Sequence, residues 1–230
     1  MPLEAGATIT LPPTAARHVQ VRRMQPGDPL VLFDGEGREA AAEVRAMRRD
    51  AVDVRIGSAP VPVDRELPTA VTLAVGMPAN ERMDWLVEKA AELGAVRVQP
   101  LLAERSVLRL AGERAERRRE HWQGIAVAAC EQCGRARVPV VEPVRTLAEW
   151  LQALPAGALR WVLSPGEAAP ARPAAQRPVV ILSGPEGGLA PAEVAAAQAA
   201  GFTGVGLGPR VLRAETAPLA VLAWLGLPPG

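Results

Sequence analysis

The residues best suited to chemistry sit in two glycine-bearing runs in the last quarter of the chain. They are Leu182-Ser183-Gly184-Pro185-Glu186-Gly187-Gly188 and Leu207-Gly208-Pro209-Arg210-Val211-Leu212-Arg213-Ala214-Glu215-Thr216. Each follows a short apolar run and precedes a segment of helical character, so each reads as a tight turn at a strand end. Glycine lets the backbone turn sharply and come close to a ligand where a side chain would block the approach. Two such turns at neighbouring strand ends form a small-molecule site in an open α/β sheet. The spacing is neither G-x-x-x-x-G-K-[ST] nor G-x-G-x-x-G, which excludes a phosphate loop. A dinucleotide-type fold is excluded by order, because its glycine loop follows an early strand.

The flanking elements must hold these turns. Residues 1 to about 58 read mainly as short strands, at 28–33, 38–47 and 51–56, with turns at Asp34-Gly35-Glu36-Gly37 and Arg49-Asp50. Short strands on tight turns predict a small β-barrel, with one helical piece over 13–24. Residues 58–68 carry Pro60, Pro62 and Pro68 and predict a stiff linker. From Thr69 the period changes. A strand is expected over 70–75, then a helix over 81–93 that Asn80 caps and Gly94 closes. Met83, Leu86, Val87 and Ala90 recur at helical spacing, and Trp85 is assigned to the core beside them rather than to base stacking. Strands at 96–101, 159–163, 178–182 and 203–207 alternate with helices at 113–132, 191–200 and 216–225, which predicts a mostly parallel α/β sheet.

Composition narrows the partners. The chain is 49% hydrophobic and 22% charged, as in a soluble globular protein, and no apolar run reaches the roughly 18 residues of a membrane helix. Lys89 is the single lysine among 26 basic residues, so the rest are arginines. Arginine forks suit phosphates and bases. A net charge of +1 argues against a general polyanion binder, so any nucleic-acid surface must be local. A GC-rich genome accounts for most of the arginine, alanine and proline; one asparagine and 23 prolines are also compatible with a thermophilic source. Cys130 and Cys133 form a C-x-x-C pair, but four zinc ligands are not assembled with only His18 and His121 in the chain. The pair is expected as packed thiols within a helix, with no metal. The start, Met1-Pro2-Leu3-Glu4, lacks a basic-then-apolar leader, so a cytoplasmic location is expected.

Read together, these segments resemble the RsmE family of SPOUT methyltransferases. The resemblance is carried by Gly184-Pro185-Glu186-Gly187-Gly188 and by Leu207 through Ala217. It extends to the run from Glu81-Arg82-Met83-Asp84-Trp85 to Gly94, to Glu104-Arg105-Ser106-Val107 and to Glu131-Gln132-x-x-Arg135. His18-Val19-x-Val21-Arg22-Arg23-Met24 and Pro26-Gly27-Asp28 match the N-terminal pattern. The order and spacing of these pieces cover nearly the whole chain. Departures are Ala79-Asn80, where the family usually has Lys-Gly, and Arg22, where an apolar residue is more usual.

The resemblance implies a PUA-like β-barrel over 1–66 and a SPOUT α/β domain over 67–230 ending in a deep trefoil knot, a topology that periodicity would never propose. It implies a homodimer, S-adenosylmethionine as cofactor, no membrane, and methylation at N3 of a uridine in small-subunit (16S) ribosomal RNA, uridine 1498 in conventional numbering. The cofactor residues it implies are Leu182, Gly184, Pro185, Glu186, Gly187 and Gly188 with Leu207, Gly208, Pro209, Val211 and Leu212. A third loop, after the strand ending at Leu163, adds Leu163 and Ser164. Backbone groups and apolar walls such as Val211 and Leu212 suit an adenine.

Uracil N3 carries a proton and is a poor nucleophile until that proton leaves. Arg213 is the candidate for stabilising the resulting anion; Glu186 or Glu215 could accept the proton or face the sulfonium. Glu215 and Thr216 are equally placed to cap the last helix. Arg17, Arg22 and Arg23, then Arg82, Arg105, Arg135 and Arg210, are the candidate RNA contacts. Arg117, Arg118 and Arg119 alternate with glutamates and read as a solvated face. The alternatives are a SPOUT enzyme for another RNA and a non-catalytic RNA-binding assembly protein.

Overall fold

The computed structural model describes residues 3–79, 81–154, 156–173 and 177–227. Asn80, and with it the expected helix cap, lies outside the described residues. The chain divides into two compact units: Met1–Arg65 joined by Arg135–Arg137, and the remainder.

In the first unit, β1 (Thr8–Thr10), β2 (Pro29–Phe33), β3 (Arg38–Met47), β4 (Val52–Ile56) and β5 (Val61–Pro62) form an antiparallel sheet in the order β1-β4-β3-β2, with β5 on β3. On β3, buried Ala40, Ala42 and Val44 alternate with exposed Ala41, Glu43 and Arg45, the period of two that leaves one face to a core. That core is Val44, Val52 and Val54 packed with Ala16 and Val19 of helix α1 (Pro13–Val21). The helix stops three residues short of the expected end. Arg22 caps it, and Arg23 takes the left-handed conformation at φ 56 with its N–H donated to Gln20 O at 2.9 Å. The stretch expected as a linker contains β5, because Val61 and Pro62 register with Glu39 and Arg38. Residues 135–137 join this unit through the Gly37 N–H to Ala136 O bond (3.1 Å) and bridges from Gly35 and Glu36 to Arg137.

The second unit is built on a parallel sheet. Its strands are β6 (Val71–Gly76), β7 (Arg97–Leu102), β8 (Val140–Val141), β9 (Arg145–Thr146), β10 (Leu159–Leu163), β11 (Val179–Ser183) and β12 (Thr203–Val205). The order is β12-β10-β11-β6-β7-β8, with β9 also on β7. Every residue of β11 is buried, as a central parallel strand covered on both faces requires. Helices α2 (Glu81–Glu92), α3 (Gly112–Cys133), α4 (Leu147–Leu151), α5 (Pro191–Ala199) and α6 (Thr216–Gly226) cover it. Leu147 and Trp150 of α4 and Ala197 of α5 pack with Ala74, Val162, Val180 and Leu182. A second group forms where α6 packs on β6 and β11 and on α2, which packs on α3. Asp84 ties α2 to α3, accepting from Trp122 Nε1 and pairing with His121 Nε2, each at 2.9 Å.

Three expectations fail here. Trp85 is 45% exposed, not core, while Met83, Leu86, Val87 and Ala90 are fully buried. At 100° per residue, a position two after Met83 points away from the buried stripe, so the spacing itself excludes Trp85. Cys130 is buried, but Cys133, three residues on at the helix end, is exposed. The strands β8 and β9 and helix α4 were not anticipated. Two-residue strands carry no period, whereas α4 does have a capping box: Thr146 Oγ1 accepts from Glu149 N–H (3.2 Å), and Glu149 Oε2 accepts from Thr146 N–H (3.1 Å). Among the described residues no helix is long and apolar enough to cross a membrane.

Candidate functional site

The carboxyl ends of β10, β11 and β12 meet where the chain, after running β6-β7-β8 to one side, returns to lay β10 through β12 on the other. This is the switch point at which open parallel sheets hold ligands. Close backbone approach builds the site. The segment after β10 crosses the end of β12, with Ser164 N–H to Val205 O at 3.0 Å and Gly206 N–H to Ala168 O at 2.8 Å. A Cβ on Gly206 would lie 2.0 Å from Glu167 O, so only glycine fits. Likewise a Cβ on Gly76 would lie 2.5 Å from Pro185 Cδ, which sets the end of β6 directly against the 184–188 turn.

Between these segments opens a cavity of about 590 Å³, within the range that accepts a nucleoside-sized ligand. Of the cofactor candidates, Leu163, Ser164, Gly184, Pro185, Glu186, Gly188, Leu207, Val211 and Leu212 line it. Four do not. Leu182 is fully buried in the core beneath. Gly187 faces Arg105, whose Nη1 donates to Gly187 O at 3.0 Å. Gly208 and Pro209 are exposed at the turn, Gly208 with a positive φ of 87°. Val162, Ser183, Leu189, Val194, Val205, Ala214 and Ala217 also line the cavity and were not singled out from sequence. Ser183 could have been: it is a polar residue closing an apolar strand just before the first glycine.

Charge is concentrated at four lining residues, Arg82, Glu186, Arg210 and Arg213. Glu186 Oε1 accepts from Ala79 N–H at 2.9 Å and from Arg82 Nη1 at 3.1 Å. Arg82 Nε also lies 4.0 Å from Glu215 Oε1. Glu215 is buried at 6% exposure, and its Oε2 has no hydrogen-bond partner. Glu215 does not cap α6 with its side chain. Its backbone is helical (φ −76, ψ −30) instead of extended, so the carboxylate is not folded back over the first turn, and Thr216 already lies inside the helix. The N–H groups of Thr216 and Ala217 donate to Arg213 O instead, at 3.0 and 3.1 Å. The Arg213 and Arg210 guanidinium groups are exposed and make no ion pair among the described residues.

The arginines proposed for RNA do not form one set. Arg82, Arg210 and Arg213 line the cavity, and Arg105 grips the 184–188 turn. Arg17, Arg22 and Arg23 are exposed on the first unit, around the end of α1. Arg135 belongs to that unit too but is buried at 4% exposure, so this structure does not present it to an outside phosphate. Arg119 pairs with Glu116, and Arg118 lies 3.9 Å from Asp84 Oδ1, so the charged face of α3 is partly paired. No group of three or more His, Cys, Asp or Glu poised to hold a metal occurs among the described residues.

A parallel sheet with glycine turns at its switch point, accompanied by a small antiparallel unit, is the architecture of an RNA methyltransferase with a PUA domain. The family model described as an RNA methyltransferase domain matches residues 65–226, and that of an RNA methyltransferase PUA domain matches residues 11–57. The ribosomal RNA small subunit methyltransferase E of Bacillus subtilis is 33% identical over 96% of this chain and 90% of its own length. That of Mycobacterium tuberculosis is 36% identical over 90% of this chain and 81% of its own. Among solved structures, the Neisseria gonorrhoeae enzyme of that name, bound to S-adenosyl methionine, superposes with a TM-score of 0.88 at 34% identity, covering 98% of this chain and 93% of that one. A Legionella pneumophila methyltransferase structure in complex with SAM gives 0.89 at 33% identity, over 98% and 94%. The chain belongs to the ribosomal RNA small subunit methyltransferase E family.

Proposed function

We propose that this protein transfers a methyl group from S-adenosylmethionine to N3 of a uridine in 16S ribosomal RNA, the uridine the family resemblance points to, and works as a homodimer in the cytoplasm. The observation that carries this reading is the cavity at the β10–β12 strand ends, lined by both glycine-bearing turns, with one buried lining atom, Ser183 Oγ, left unpartnered. Its shape and chemistry fit the cofactor. The 184–188 and 207–212 turns supply backbone donors and acceptors, and Val162, Val205, Leu207 and Leu212 supply apolar walls for a purine. When bound, S-adenosylmethionine supplies an electrophilic methyl carbon on a positively charged sulfur.

The chain's own residues supply the rest. Arg213, a planar guanidinium lining the cavity, faces a uracil carbonyl oxygen and holds the negative charge that spreads from N3 as its proton leaves. Both candidate carboxylates lie against Arg82: Glu186, which lines the cavity, or Glu215, which is buried behind it with Oε2 unpartnered, takes the proton or balances the sulfonium charge. Arg17, Arg22, Arg23 and Arg210 contact phosphates and set the register of the RNA. We assign the PUA-like domain to 1–66 and the methyltransferase domain to 67–230. The trefoil knot is placed in the C-terminal part of the second domain, a reading supported by the crossing of the 164–168 segment over the end of β12.

The test offers naked ribosomal RNA, small subunits and whole ribosomes to the protein with labelled S-adenosylmethionine, then maps the modified nucleotide. Label at N3 of a single 16S uridine is expected. Label on a cytidine, a ribose or a transfer RNA overturns the reading, and absence of cofactor binding favours a non-catalytic RNA-binding protein. Light scattering of the purified protein checks the dimer.

A further inference from the structure

Ser183 is the last residue of β11, in register with Val75 of β6. It is 3% exposed, its Oγ has no hydrogen-bond partner, and it lines the cavity. A hydroxyl taken out of water without a partner is destabilising, and buried polar groups in folded proteins are nearly always satisfied. A serine closing an apolar run of Val179-Val180-Ile181-Leu182 has an obvious apolar substitute, so folding alone gives no reason for the hydroxyl there. An unsatisfied hydroxyl at the floor of a cavity is the mark of a group whose partner arrives with the ligand.

The surroundings say which part of the ligand that is. At the neighbouring strand ends the lining residues are Val162 and Leu163 of β10, Ser164 just beyond it and Val205 of β12, none of them charged. The charged lining residues lie elsewhere, on α2 (Arg82) and on the two turns (Glu186, Arg210, Arg213). The zwitterionic amino-acid tail of S-adenosylmethionine needs charged partners; the flat, neutral nucleoside needs apolar walls and a few oriented polar groups.

We propose that Ser183 is a specificity residue of the cofactor site, whose hydroxyl bonds a polar atom of the adenosine moiety and selects nucleoside ligands over apolar ones of the same size. The proposal rests on the cofactor reading above. A buried, unpartnered hydroxyl beside aliphatic neighbours discriminates because a ligand without a matching atom leaves it buried and unpaired. The same logic sets a trade-off: the group that favours the bound state weakens the empty protein.

The experiment compares the wild type with Ser183→Ala by calorimetric titration with S-adenosylmethionine, S-adenosylhomocysteine, 5′-methylthioadenosine and free methionine, and by thermal melting of the ligand-free proteins. Expected is a rise of about five- to tenfold in Kd for the three nucleoside ligands, by a common factor. The ligand-free variant is expected to melt at or above the wild-type temperature, which a merely structural serine would not allow. An unchanged Kd, or a loss confined to ligands that carry the amino-acid tail, overturns the assignment. So does a variant that melts lower without ligand, since that reveals a partner inside the protein. A wild type that binds S-adenosylmethionine normally while the variant does too sinks this proposal alone; a wild type that binds none of the nucleosides sinks the cofactor reading and takes this proposal with it.

Discussion

Arg82 and Glu215 meet at 4.0 Å although 133 positions separate them, and the same guanidinium donates to Glu186 at 3.1 Å. One side chain from α2 thus joins carboxylates from both glycine-bearing turns. Removing it leaves a carboxylate with 6% exposure without a cation, and an uncompensated buried charge is costly. Arg82 is itself 45% exposed at the side chain, which screens the interaction, so the expected loss for Arg82→Ala is about 1–2 kcal/mol. In urea unfolding, Arg82→Ala with Glu215→Gln is expected to lose less than the sum of the two single changes. Strict additivity would show that the two side chains do not interact.

Arg213→Ala should cut the rate of methyl transfer at least about a hundredfold while S-adenosylmethionine still binds, because the arginine acts on charge that develops only as N3 loses its proton. Single-turnover assays beside calorimetry separate the two effects. Near-normal turnover removes Arg213 from the reaction.

Gly206→Ala places a Cβ 2.0 Å from Glu167 O, a backbone atom that cannot swing aside. A loss of about 2 kcal/mol or more is expected, with weakened binding in the cavity that this crossing helps to form. Gly124→Ala is the contrast. It sits inside α3 with nothing within 4 Å of the new Cβ, and should gain about 0.4–1 kcal/mol. Equal effects at the two glycines would refute the close-approach argument.

Arg22 and Arg23 stand exposed at the end of α1. If they neutralise RNA phosphates, replacing both with glutamine should flatten the slope of log affinity for RNA against log salt by about 1.4–1.8. The affinity for S-adenosylmethionine should not move. An unchanged slope places these arginines outside the RNA contact.

The parallel sheet was legible because buried parallel strands are largely apolar runs, as β11 is up to Ser183 and β6 is apart from Thr72. The two turns were legible because glycines there serve backbone geometry. Most of their apolar and glycine residues line one cavity. What escaped depends on contacts far apart in sequence. Nothing near Arg82 announces that Glu186, 104 residues on, will occupy it, and a phosphate-seeking arginine and a carboxylate-clamping one look alike as letters. Arg135 shows the same limit: it sits in a family motif yet is buried. Trp85 is different, since its exposure follows from helical phase alone: two positions after Met83 is the far side of the helix.

Residues 135–137 belong to the unit otherwise made by the first 65 residues. Synthesis runs from one end, so the antiparallel sheet emerges from the ribosome well before Ala136, the acceptor for the Gly37 N–H. During that interval the Gly37 N–H is left to water, and the unit is completed only after β6, α2, β7 and α3 have been made. The two units therefore cannot be separated by one cut between genes. A fragment ending at the linker lacks its last three residues, and a fragment beginning there carries three that have lost their sheet.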